Sequence, residues 1–94
     1  DFLEAEDWKS AEETSREALE RYPLQPFFYY ANGISQMRQG RVPDAIRTLE
    51  EGESVLLGDS EIAQMLYRAL VEAHTRAGNT EKAKKYQNKL KDGL

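Results

Sequence analysis

A short pattern of residues recurs three times along this chain of 94 residues. In each copy a small turn leads into an amphipathic run that contains an alanine, and these alanines are Ala11, Ala45 and Ala83. The first two are 34 residues apart and the last two are 38 residues apart. Because a repeat of this length is typical of stacked helical hairpins, the sequence predicts a helical array and not an ordinary globular core.

The breaks between apolar runs predict five helices and no strands. Proline cannot continue a helix and glycine readily ends one, so Pro23, Gly40 and Gly78 mark boundaries. We expect Asp59 or Ser60 to cap the fourth helix and Thr80 to cap the fifth, since such side chains satisfy free backbone N–H groups. The predicted ranges are 7 or 10 to 22, 26–39, 43–55, 60–77 and 80–91.

Small residues inside these runs predict where helices approach each other closely. Gly52 lies within a helix, where glycine costs about 1 kcal/mol relative to alanine. We therefore expect another helix to approach closely at Gly52.

With the turn at Gly40, the small residues Gly33, Ala45 and Gly52, and the larger Tyr29 and Leu49 in register, the pattern resembles the tetratricopeptide repeat family. The resemblance implies an all-α, right-handed superhelical stack of about two and a half units, in which the three small residues lie at helix crossings. Residues 1–25 would form a partial repeat, and 26–59 and 60–94 would form two full ones. The chain departs from the family pattern at Ser15, Asn32 and His74, among other positions. Because the pattern starts partway through a unit, we expect the chain to be a fragment of a longer protein.

Composition argues against several classes of function. One histidine and no cysteine leave no metal site of the usual ligands, and no nucleophile or phosphate-loop motif is present, so we expect neither an enzyme nor a cofactor. We expect His74 to pack at a helix crossing. The net charge of −4 argues against nucleic acid, and no apolar stretch is long enough for membrane insertion. We expect a soluble protein, either cytoplasmic or periplasmic.

In the family it resembles, the first helix of each unit lines a concave groove that binds peptides or partner helices. The resemblance therefore implies a non-catalytic protein-interaction module. The implied groove residues are Phe27, Tyr30, Ile34, Met37, Arg38, Met65, Arg68, Glu72 and Arg76.

Two alternatives stay open. The segment could be a structural spacer or cap of a longer array, with a preceding helix covering part of the groove, or an accessory to an enzyme domain outside it. An uncapped stack exposes apolar surface, so weak self-association through the truncated end is also expected.

Overall fold

The computed structural model describes residues 7–58 and 60–92, which form five α-helices and no strand. Each helix begins and ends within two residues of the predicted bounds. The helices are α1 (Trp8–Arg21), α2 (Pro26–Arg38), α3 (Val42–Ser54), α4 (Ser60–Arg76) and α5 (Thr80–Asp92).

Glycine ends two of the helices in the expected way. Gly40 and Gly78 follow α2 and α4 with φ angles of 85° and 80°, a left-handed conformation that other residues rarely adopt. The expected cap of α5 was wrong by one residue, because Thr80 is the first residue of that helix and the carbonyl of Asn79 accepts its first backbone bond, from Ala83 N. Asp59 lies outside the described residues, and Ser60 begins α4.

Consecutive helices pack against each other along the chain, and α2 also packs directly on α4. Short connections make neighbours antiparallel, so α2 and α4 form an inner layer while α1, α3 and α5 form an outer one. The all-α fold class is therefore confirmed, and the packing is that of stacked helical hairpins.

The core lies between α2, α3, α4 and α5. Its largest fully buried side chains include Met37, Leu49, Leu66 and Leu70. The small residues predicted at helix crossings are found there: Ala45 is fully buried.

The two helical glycines mark the closest approaches. A Cβ atom on Gly33 would lie 2.6 Å from Leu49 Cγ. A Cβ atom on Gly52 would lie 2.7 Å from Tyr29 Cβ and 3.1 Å from Leu66 Cδ2. Because no Cβ fits at such distances without movement, α3 packs against both inner helices only with glycine at these positions.

Several polar side chains are buried between the helices and hydrogen-bonded. Asn32 Nδ2 donates to the carbonyl oxygen of Glu12 and to Ser15 Oγ, both at 3.0 Å. Thr48 Oγ1 donates to Gln36 Oε1 at 2.7 Å. Within the described residues, every buried side-chain nitrogen and oxygen has a partner, so these polar side chains carry no desolvation penalty from unpaired groups.

Candidate interaction groove

A depression of about 130 Å³ lies between the inner helices α2 and α4. It brings together six of the nine groove residues predicted from the sequence, three from each helix. They are Tyr30, Ile34 and Arg38 from α2 and Met65, Arg68 and Glu72 from α4. The spacing explains this, because residues three or four positions apart share one face of a helix. Ala69, which the sequence analysis missed, completes the lining.

Met37 does not line the groove, and its inclusion among the groove residues is corrected here. Its side chain is fully buried in the core, so a partner at the surface cannot reach it. Ile34, with 7% of its surface exposed, contributes only to the floor. The position of Met37 follows from helical spacing, because it lies four residues after Gly33, on the side of α2 that faces Leu49 of α3.

Two aromatic side chains near the start of α2 form one end of the groove. The ring of Phe27 lies beside that of Tyr30, with centroids 6.2 Å apart and planes tilted by 36°. Both rings are half-buried, so each presents a face or an edge to solvent. Phe27 is outside the depression itself but extends its apolar surface.

Charged side chains occupy the other end. Glu72 Oε2 accepts from Arg38 Nη1 and from Arg76 Nη2, each at 2.8 Å, so one carboxylate bridges an arginine on each inner helix. Arg76 thereby joins the groove through Glu72. Arg68 is exposed and forms no ion pair or hydrogen bond with any of the described residues.

A second apolar pocket, of about 220 Å³, was not predicted. It lies where α1 meets α2 and is lined by Tyr22, Gln25, Phe27 and Phe28. The nearby Leu24 is 70% exposed. The run of aromatic residues around Pro26 was a usable signal, but only Phe27 was predicted to belong to a binding surface, that of the groove.

The described residues contain no group of three His, Cys, Asp or Glu side chains placed to hold a metal ion. His74 is buried at the contact of α3 with α4, as expected of a packing residue. Its Nε2 lies 3.3 Å from Glu50 Oε2 and its Nδ1 lies 3.0 Å from Asn79 Nδ2. Because the Asn79 amide N–H donates, Nδ1 accepts and Nε2 carries the proton that faces Glu50.

The displaced pKa values belong to contacts between helices away from the groove. Burial raises the pKa of Glu53, but hydrogen bonds from Lys89 and Tyr86 outweigh it and the pKa falls below its ordinary value. The pKa of Glu12 is also lowered, because hydrogen bonds from Arg41 and Gln39 outweigh the opposing effect of burial. Both carboxylates hold helices together and neither faces the depression.

Among the described residues, no helix has the length and apolar character needed to cross a membrane. Comparisons of the chain with protein-family models, with curated proteins and with solved structures found no match. The resemblance to the tetratricopeptide family therefore stays a prediction, and the groove is the feature of the molecule that points to a function.

Proposed function

We propose that this chain is a tetratricopeptide-type interaction module that binds a peptide or a partner helix in the groove between α2 and α4, without catalysis. The observation that carries the proposal is the convergence of six predicted residues, from two helices far apart in sequence, on one depression.

The two ends of the groove suit such a partner in different ways. Tyr30 and Met65 offer apolar surface, and the flexible methionine side chain adapts to partners of differing shape. The Arg38–Glu72–Arg76 cluster supplies directional polar contacts. An apolar anchor beside a polar rim is the usual arrangement of a peptide-binding surface.

A second candidate function is that of a structural segment in a longer array. It is favoured by Tyr22 and Leu24, which are 55% and 70% exposed at the end of α1. A further helix packed on this end would cover them.

The test is selection from a displayed peptide library on the isolated chain, followed by titration of the enriched peptides. We expect Tyr30→Ala with Met65→Ala to weaken binding about tenfold, because two anchor side chains are removed. Lys84→Ala, on exposed α5, serves as the control and should bind normally. Circular dichroism checks that helix content is retained. Equal affinity of the double variant and the control, or no enriched peptide, would contradict the proposal.

A further inference from the structure

We propose that copies of this chain associate head to tail, with the outer side of α1 on one copy docked against the outer side of α5 on the next. The inference goes beyond the proposed function, because neither surface belongs to the groove. It is carried by exposed apolar side chains at the end of α1 and by unpaired charges of opposite sign on the two end helices.

The end of α1 exposes an apolar surface that no other part of the described chain covers. Tyr22 and Leu24 are 55% and 70% exposed. Tyr22 lines the apolar pocket beside Phe27 and Phe28, and it also lines a wider depression of about 500 Å³ along α1. Single exposed apolar side chains are ordinary, but a continuous cluster beside a pocket indicates a docking surface.

Carboxylates line the wider depression next to this apolar surface. Glu17 and Glu20 are exposed and lie three residues apart on α1, so they are neighbours on the helix surface. Neither forms an ion pair with any of the described residues, and Arg21 is the cation among the described residues that line the depression. Two carboxylates are therefore available to a partner with positive charge.

The outer side of α5, at the other end of the stack, has such a charge. Lys82 and Lys85 are exposed, lie three residues apart, and have no carboxylate partner among the described residues. Lysine covers apolar surface with its aliphatic stem while its ammonium group reaches an anion. Lys82 and Lys85 therefore suit a surface on which carboxylates adjoin exposed apolar side chains.

The direction of the two helices makes this contact geometrically simple. α1 and α5 run the same way, because consecutive helices are antiparallel and four such steps separate them. A second copy in the same orientation thus lays its α1 parallel to α5 of the first. Glu17 then lies opposite Lys82 and Glu20 opposite Lys85, since three residues span about 4.5 Å along either helix.

The same register brings apolar side chains together beyond the charged pairs. It places Tyr22 and Leu24 at the level of the last turn of α5, where Leu90 is half-buried. Charge selects the partner surface, and the burial of these side chains adds to its stability.

Other occupants of the α1 surface fit its charge less well. Contact of α1 with α1 would oppose carboxylates, and contact of α5 with α5 would oppose lysines. Residues 1–6 carry three carboxylates and neither lysine nor arginine, so their charge does not suit this surface either. A second copy in head-to-tail contact has the charge that the surface requires.

The experiment is sedimentation velocity of the 94-residue chain over a dilution series up to about 1 mM, the range of weak association. The contact joins two different surfaces, so each added copy leaves one α1 and one α5 open. We therefore expect the average mass to rise above that of the monomer and to keep rising with concentration. Added salt should reduce the association.

Matched single variants test the two parts of the surface. Glu17→Lys should weaken the association about fivefold more than Glu51→Lys, which makes the same charge change on exposed α3. Leu24→Ser should weaken it about threefold more than Leu57→Ser, because Leu57 is 92% exposed but lies between α3 and α4. Circular dichroism checks that helix content is retained.

A charge exchange tests the pairing itself. One variant carries Glu17→Lys with Glu20→Lys, and the other carries Lys82→Glu with Lys85→Glu. Each alone has end surfaces of one sign and should stay monomeric, whereas an equimolar mixture should associate, because α5 of the first variant meets α1 of the second.

Three results would overturn the inference. They are a wild-type chain that stays monomeric up to about 1 mM, equal effects of Glu17→Lys and Glu51→Lys, or a mixture no heavier than its separate variants. Association that falls with Tyr30→Ala and Met65→Ala would also contradict it, because the contact would then lie in the groove. Peptide selection tests the groove separately, so failure of either proposal leaves the other standing.

Discussion

α1 joins α2 through a buried amide, whereas α5 joins α4 through stacked rings. At the first contact, here called the N-terminal seam, Asn32 of α2 donates to the backbone of Glu12 and to Ser15. At the second, the C-terminal seam, Tyr86 of α5 stacks on His74 with centroids 5.8 Å apart and planes inclined by 7°. The two seams belong to similar helix pairs but use different chemistry.

This difference indicates which end of the helical stack is held by the hydrophobic core. The buried residues of the core cluster come from α2 to α5, and α1 contributes only the partly buried Trp8. A hydrogen bond adds about 1 kcal/mol net, whereas a buried aromatic side chain adds several. The N-terminal seam is therefore expected to open first in native-state hydrogen exchange, and the C-terminal seam last.

The largest expected effect comes from Tyr86→Ala. Tyr86 is 2% exposed, lies between His74 and Tyr67, and its hydroxyl donates to Glu53 Oε1 at 2.8 Å. Truncation removes these contacts and leaves a cavity, so the free energy of unfolding should fall by about 3–5 kcal/mol. Urea denaturation followed by circular dichroism measures the change.

Two matched variants separate the causes. Tyr86→Phe keeps the ring and removes the hydroxyl, so it should cost about 1.5 kcal/mol. Gln87→Ala lies next to it on the exposed side of α5 and should change little. A loss below 1 kcal/mol for Tyr86→Ala, of the order given by a single hydrogen bond, would show that the rings are not what secures the C-terminal seam.

A smaller effect is expected from Asn32→Ala in the N-terminal seam. The substitution removes two hydrogen bonds and leaves the Glu12 carbonyl buried with one partner fewer, at a cost of about 1–3 kcal/mol. Asn32→Leu combined with Ser15→Ala makes the seam apolar on both sides and should restore stability to within about 1 kcal/mol of wild type.

A double-mutant cycle on Ser15 and Asn32 measures their coupling, and Ser10→Ala on the exposed side of α1 is the control. If the two substitutions simply add, the amide and the hydroxyl act independently and the description of this seam as a polar pair is wrong.

The sequence predicted the helices and their crossings better than the seams. The helix ends follow from local chemistry, as at Gly40, and the crossings follow from Gly33 and Gly52, whose lack of a side chain has a direct geometric meaning. These features need no knowledge of a partner. The role of a polar residue such as Asn32, by contrast, can be assigned only once the group packed opposite it is known.

The groove, too, was predicted only in part. Six residues were found on one depression because helical spacing alone places them on the same face. Met37 was wrong because it lies four residues after Gly33, on the side of α2 that faces Leu49 of α3, and it is fully buried there. Spacing within α4 gives the pair of Glu72 with Arg76, four residues later, whereas the bond from Arg38 to Glu72 depends on the distance between helices.

The smallest expected effect is a difference between the seams at alkaline pH. The hydrogen bond to Glu53 raises the pKa of Lys89 above its ordinary 10.5, and burial followed by the bond to Glu53 raises the pKa of Tyr86 above its ordinary 10.0. Both groups therefore hold their protons more tightly in the folded chain than in the unfolded one. Their stabilisation is complete below the ordinary values and is lost as the pH rises through the raised ones.

At the N-terminal seam Arg41 pairs with Glu12, and arginine keeps its proton throughout this range. Between about pH 9 and pH 11, the melting temperature of the double variant Tyr86→Phe with Lys89→Met should therefore fall less than that of wild type. The melting temperature of Arg41→Met should fall as much as that of wild type. The difference is small because pH 11 lies only about one pH unit above the ordinary pKa of Tyr86, and because the Lys89 side chain is 38% exposed and solvent screens its charge. If the melting temperatures of all three proteins fall equally with pH, the contacts of Glu53 do not distinguish the C-terminal seam from the N-terminal seam.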